Sequence, residues 1–266
     1  MKHVKLYEAF SSQETLTEDQ IKWLDKCAKR GWNLNPSTGL VDVNGDFSCV
    51  QQDLTDFKGV AFGHVKGYFD CHVNRLTSLV GAPQTVGMDF CCHNNQLTSL
   101  VGAPQTVGRD FHCNYNQITS LDGAPLTVRM NFSCNNNQLT SLVGAPLAVR
   151  VDFDCSNNEL TDLEGAPQEV GGVFYCDKNL LTSLEGAPQT VSHFYCSDNP
   201  ASKKTLASIF ALMQKGKSYQ QALEEYWPNM DDEDRVLMYK DLKDLTPDEI
   251  RRYDALTTVS RIKNYL

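Results

Sequence analysis

Cys91, His93 and His112 come closest, among the side chains of this sequence, to a chemical constellation. Thiol and imidazole are soft to borderline ligands, and on neighbouring strands the three could share a transition metal. A structural zinc site takes four ligands at close spacing. No fourth ligand is evident, and the chain has no CxxC pair. A Cys–His nucleophile would need an oxyanion hole, which nothing here marks. Phosphate-binding loops, paired catalytic carboxylates and calcium-binding Gly-Asp nonapeptides are missing too. The expectation is a non-enzymatic chain with no cofactor, and a metal-dependent enzyme at Cys91, His93 and His112 is the weakest alternative.

The other cysteines point to packing. Cys49, Cys71, Cys92, Cys113, Cys134, Cys155, Cys176 and Cys196 recur at intervals of 20 to 22 residues, each in the same slot of a repeat. Stacked on parallel strands and turned inward, they serve as small hydrophobes. Unpaired thiols in that number fit a reducing compartment, so a cytoplasmic location is expected.

These slots are positioned by a repeat of 21 residues running from Leu76 to Asn199. One copy reads LTSLVGAPQTVGMDFCCHNNQ, and further copies begin at Leu97, Ile118, Leu139, Leu160 and Leu181. Such a period means a solenoid, in which each copy is one structural unit stacked on the last. The half V-x-x-D-F-x-C-x-x-N alternates as a strand with one buried face does. The half L-T-S-L-x-G-A-P turns the chain back. Its glycines supply special backbone angles, its prolines fix φ, and extended or short 3₁₀ geometry is expected there. Asn74, Asn95, Asn116, Asn137, Asn158, Asn179 and Asn199 each follow the strand Cys by three. A buried amide there can satisfy backbone groups that lose their ladder partners at the turn.

The string F-x-C-x-x-N-x-L-x-x-L resembles the leucine-rich repeat, with Phe and Cys in inward slots. The short period and the repeated GAPQTV and DFxCxxNQLTSL resemble the bacterial and bacteriophage short-repeat branch, over roughly residues 45–200. The sequence departs from that family at Val86, which precedes Phe90 by four where the family spacing is three. The resemblance implies an α/β repeat solenoid, a parallel β-sheet horseshoe of about eight strands. It also implies a phage or bacterial setting and contact with a host protein. Some bacterial leucine-rich-repeat proteins carry a thiol-dependent ubiquitin ligase. No cysteine follows Cys196, so residues 197–266 cannot be such a domain.

The flanks read as helical. In residues 1–44, Thr17 and Gln20 form a capping-box signature for a helix of about 13 residues. Its apolar face is Ile21, Leu24, Cys27 and Ala28, and Gly31 is the stop. A linker with turn chemistry at Asn35-Pro36 and Asn44-Gly45 follows. Residues 201–266 read as a cap or a small interaction domain. Helices are expected over Lys204–Gln214, Ser218–Trp227, part of residues 231–241, and from Thr246 to about Asn264.

Charge and outward slots carry the functional reading. Residues 46–196 hold seven basic and fifteen acidic side chains, a net of −8 out of −9 for the chain. That surface repels phosphate backbones, so direct nucleic-acid binding is not expected. No apolar run is long enough for a membrane span, and no secretory signal is expected. One outward slot, between Phe and Cys, holds Ser48, Asp70, Cys91, His112, Ser133, Asp154, Tyr175 and Tyr195. The other, before Phe, holds Asp46, Tyr68, Asp89, Asp110, Asn131, Asp152, Val173 and His193. Variable outward slots on a constant frame suit recognition. The candidate binding residues are therefore Asp89, Asp110, Asp152, Asp154 and His112, with an aromatic group of Tyr175, Tyr195, Val173 and His193. The competing readings are a solvated acidic face, and tyrosines covered by the C-terminal helices. The expected function is a protein-binding module for a partner with a basic surface. The alternative is an acidic mimic of nucleic acid.

Overall fold

The computed structural model describes residues 16–238, 241–242, 246–248 and 251–252. The repeats wind into a parallel β-solenoid in which each coil but the last adds one short strand to each of two eight-stranded sheets, and an antiparallel strand completes the second sheet. In sheet A the strands Phe47–Ser48 (β3), Phe69–Asp70 (β5), Phe90–Cys91 (β7) and Phe111–His112 (β9) are followed by Phe132–Ser133 (β11), Phe153–Asp154 (β13), Val173–Tyr175 (β15) and His193–Tyr195 (β16). They pair in register, Phe beside Phe, along the whole length.

Sheet B is the element that strand alternation conceals. It begins with an antiparallel pair, Trp32–Leu34 (β1) and Val41–Val43 (β2), within the stretch that reads as a linker. It continues through Phe62–Val65 (β4), Thr85–Val86 (β6), Thr106–Val107 (β8), Thr127–Val128 (β10), Ala148–Val149 (β12) and Glu169–Val170 (β14). The stretch expected as one strand is thus two strands around a corner. The four-residue step from Val86 to Phe90 accommodates that corner, so both side chains are buried. A Cβ at Gly108 in this corner would meet the Gly87 carbonyl oxygen at 1.9 Å, so coils this close exclude a side chain there. The third side, L-T-S-L-x-G-A-P, is neither strand nor helix.

Each coil's interior is filled from three sides. Sheet A contributes Phe and Cys, sheet B contributes Val, and the third side contributes both leucines, all essentially inaccessible in the regular coils. Burying a Phe or Leu side chain contributes about 1.5–3 kcal/mol each. The phenyl rings form a stacked column, with Phe69 on Phe90 at 5.7 Å and Phe132 on Phe153 at 5.3 Å. Several inward thiols also donate to a carbonyl of the next coil, as Cys155 Sγ does to Tyr175 O at 3.2 Å. Each Asn of the repeated column joins two coils. Asn95 Nδ2 donates to Cys71 O and Cys92 O at 3.1 Å, and its Oδ1 accepts from Leu76 N at 3.0 Å.

One recurrent strain was hidden in the sequence. The residue before each of these asparagines has positive φ, whatever its type: Val73, Asn94, Tyr115, Asn136, Asn157, Lys178 and Asp198. This left-handed turn lets the following Asn amide fold back under the strand.

Aromatic side chains close both ends of the phenyl column. The helix Glu18–Cys27 (α1) has the expected capping box between Thr17 and Gln20. Its buried residues are Trp23, Leu24 and Cys27, whereas Ile21 is exposed. Trp23 meets Phe47 edge-on at 5.3 Å. The helix ends at Cys27 because Ala28 bridges to Phe47. At the other end Phe210, on Lys203–Met213 (α2), stacks on Phe194 at 4.0 Å. Tyr219–Tyr226 (α3) packs on α2, and Asp232–Met238 (α4) supplies buried Asp234. The Asp234 carboxylate accepts from Ser202 N at 2.8 Å and Ser202 Oγ at 2.6 Å, locking α4 to the cap of α2. Of the last expected helix, 247–248 and 251–252 are helical, and most of the remainder lies outside the described residues. Among the described residues no helix is long and apolar enough to cross a membrane.

Candidate interaction surface

The outward side of sheet A brings the candidate residues into three zones along the solenoid. The first is built by β5, β7, β9 and the turns that leave them. Cys91 and His112 are register partners, and the His93 ring meets His112 edge-on at 6.2 Å. Two further residues join this group. His72 stacks on His93 at 4.4 Å with rings 10° from parallel, and Asp70 Oδ1 lies 2.5 Å from His72 Nδ1. Stacked imidazoles direct their lone pairs side by side rather than at one point. Among the described residues, no three His, Cys, Asp or Glu side chains are placed to hold a metal ion. Burial first, and then Asp70, Asp89 and Asp110, push the Cys91 thiol up to about 12, so it is protonated near neutrality. Burial, with His72 and His112 nearby, lowers the pKa of His93, and its Nδ1 is buried without a hydrogen-bond partner.

The acidic column in the slot before Phe has a structural role that charge counting misses. Asp89 Oδ1 accepts from Asp110 N at 3.2 Å, Asp110 Oδ1 from Asn131 N at 2.9 Å, and Asp152 Oδ1 from Val173 N at 2.8 Å. Asn131 fills the same role, accepting from Asp152 N at 3.0 Å. These side chains satisfy the amides at the corner between the sheets. Asp89 also pairs with Arg109 at 3.7 Å. The column is scaffold through one oxygen and surface charge through the other. A short side-chain acceptor recurring at one slot was the available signal for this second ladder.

The third zone combines charge with exposed aromatic surface. Tyr175 and Tyr195 are register partners whose rings stack at 5.4 Å and 10°, and Val173 and His193 are paired two residues earlier. Tyr195 is 43% exposed and His193 is exposed, whereas Tyr175 and Val173 are half-buried. The described C-terminal helices therefore pack on the inward Phe194 and leave the tyrosine face open. Asp154 is the register partner of Tyr175, and Asp152 and Asp177 also act on its hydroxyl. Partial burial and these carboxylates, with Tyr195, push the Tyr175 hydroxyl up. Burial also raises the pKa of Asp154, against hydrogen bonds from Ser156 N at 3.0 Å and Ser156 Oγ at 2.6 Å. Asp177 lies outside the two columns read from the sequence, in the slot after Cys.

At the opposite end of sheet A, Tyr68 is already occupied. The Lys29 ammonium, arriving from the segment after α1, sits 4.8 Å from the ring centroid and donates to the hydroxyl. Asp46 and Asp70 add to the field that holds it charged. A tyrosine on this face, flanked by carboxylates, thus receives a primary ammonium at its hydroxyl within the chain itself.

Comparison of the chain with protein-family models, with curated proteins and with solved structures returns no match.

Proposed function

We propose that this solenoid is a non-enzymatic protein-binding module whose sheet A face captures a basic segment of a partner protein at Tyr175 and Tyr195. The observation that carries the reading is the stacked tyrosine pair, left open by the described C-terminal helices, with Asp154 beside Tyr175 in register and Asp152 and Asp177 acting on the same hydroxyl. Tyrosine presents a large amphipathic surface at low entropic cost, which suits it to anchor an interface. The carboxylates steer a cationic partner and favour lysine or arginine over the rings. Val173, His193 and the Asp89, Asp110 and His112 stretch extend the same face toward the first coils. The Lys29–Tyr68 contact is a precedent on the same face for an ammonium received at a tyrosine hydroxyl.

The kinship that accompanies this proposal is with leucine-rich repeats of the short bacterial and bacteriophage type. It rests on the F-x-C-x-x-N-x-L-x-x-L string and supports a cytoplasmic phage or bacterial protein contacting a host protein. Affinity capture from bacterial lysate with the full chain, compared with the Tyr175→Ala, Tyr195→Ala variant, tests the placement. A basic protein retained by the first and lost by the second is expected, and equal retention contradicts it. Competition by DNA would instead point to a surface that imitates nucleic acid.

A further inference from the structure

Two consecutive coils depart from the repeat in the same way, on the outward side of sheet B. The coils through β6, β8 and β14 read Q-T-V-G, Q-T-V-G and Q-E-V-G, whereas those through β10 and β12 read L-T-V-R and L-A-V-R. Both changes point to solvent. Leu126 and Leu147 are 80% and 81% exposed, and Arg129 and Arg150 are exposed beside them. An apolar side chain held in water, repeated in two consecutive coils, gains the fold nothing.

The next coil supplies the complement. Glu169, exposed on β14, is the register partner of Ala148 on β12. Leucine, arginine and glutamate thus share one side of the solenoid within three coils. A two-fold axis between the coils of Leu147 and Glu169 lays the Leu147–Arg150 coil of each copy on the glutamate coil of the other, with the Leu126–Arg129 coil flanking it, as an isologous contact requires. The offset between Arg150 and Glu169 along the strand is about 6–7 Å, within the reach of an arginine side chain. We infer that the outward face of sheet B, centred on the register pair Ala148 and Glu169, is a homodimer interface whose occupant is a second copy of this chain. Sheet A is left free in both copies, so the dimer presents two partner-binding faces and gains avidity for a repeated target.

Sedimentation velocity of the full chain over a concentration series tests this. Leu126→Gln with Leu147→Gln installs the residue of neighbouring coils, so folding is retained with an unchanged Tm, while dimer dissociation rises at least about tenfold. Arg150→Glu breaks the dimer, and adding Glu169→Arg restores it by exchanging the charges. A wild-type monomer at about 100 µM overturns the inference, because that bounds the affinity below any useful value. A dimer that survives both changes overturns it, as does one that Arg150→Glu breaks and Glu169→Arg fails to restore.

Discussion

The Oδ1 of Asn95 accepts the backbone N–H of Leu76 from the preceding coil at 3.0 Å, while its Nδ2 donates to carbonyls of both coils. One amide therefore holds the chain where it leaves sheet A and holds two coils together. Its removal strands backbone groups that no water reaches.

Asn95→Ala is expected to destabilise the solenoid by about 2–4 kcal/mol, since each buried group left unpaired costs about 1–3 kcal/mol. Asn95→Asp, which keeps the acceptor and loses the donors, should also be destabilising. Urea unfolding monitored by circular dichroism measures both. Wild-type midpoints for the two variants would show that the column is not structural.

Val73 points to a stabilising change. It is β-branched, 41% exposed, and held at φ 52°, a region that costs a residue with a branched Cβ about 1–2 kcal/mol. Asn occupies the equivalent position in three coils, as Asn94, Asn136 and Asn157. Val73→Asn should raise the unfolding free energy by about 1 kcal/mol, because asparagine tolerates this region and little burial is lost. A lower midpoint in urea would contradict this.

The histidine group makes stability depend on pH. Burial holds the pKa of His93 below its usual 6.5, so below that value the unfolded chain binds the extra proton more readily than the folded one. This contribution is fully present above 6.5 and is lost as pH falls through the folded value. Stability measured from pH 7.5 downward should therefore fall below 6.5, and His93→Gln should flatten that part of the curve. The carboxylate Asp154 acts at lower pH in the opposite sense. Its raised folded pKa makes stability decline as pH rises above the usual 3.8, so Asp154→Asn should stabilise at pH 7 but not below pH 3.8.

The thiols should be unreactive in the folded chain. Cys92, Cys134 and Cys155 are fully buried with strongly raised pKa values, and Cys91 is pushed up to about 12. An aromatic disulfide reagent at pH 8 should titrate all ten cysteines only after denaturation. Rapid labelling of Cys91 in the native protein would reopen a chemical role for its neighbourhood.

What the sequence makes legible is whatever repeats with a physical period. The inward Phe, Cys and Leu slots, the Asn ladder and the Thr17–Gln20 capping box are all visible there. Sheet B is hidden because Thr85–Val86 is only two residues long and lies next to Phe90 in one alternating string. The left-handed column is hidden because Val73, Tyr115 and Lys178 are not types that announce positive φ. The acidic column misleads in part, since Asp89, Asp110 and Asp152 cap backbone amides as well as carrying charge. The tyrosine pair is visible as residue types, but its exposure depends on where Phe210 docks, and only the packing of α2 shows that.

On the proposed function, recognition sits on the outward slots of sheet A and stability sits in the frame beneath. Affinity capture of a basic partner by the full chain and by the Tyr175→Ala, Tyr195→Ala variant, alongside the thermal midpoint of each, tests it most directly. Retention is expected to fall at least about tenfold, as for loss of an anchoring pair, with little change in Tm. Equal retention by the two proteins, or a lost partner only in step with unfolding, would contradict it.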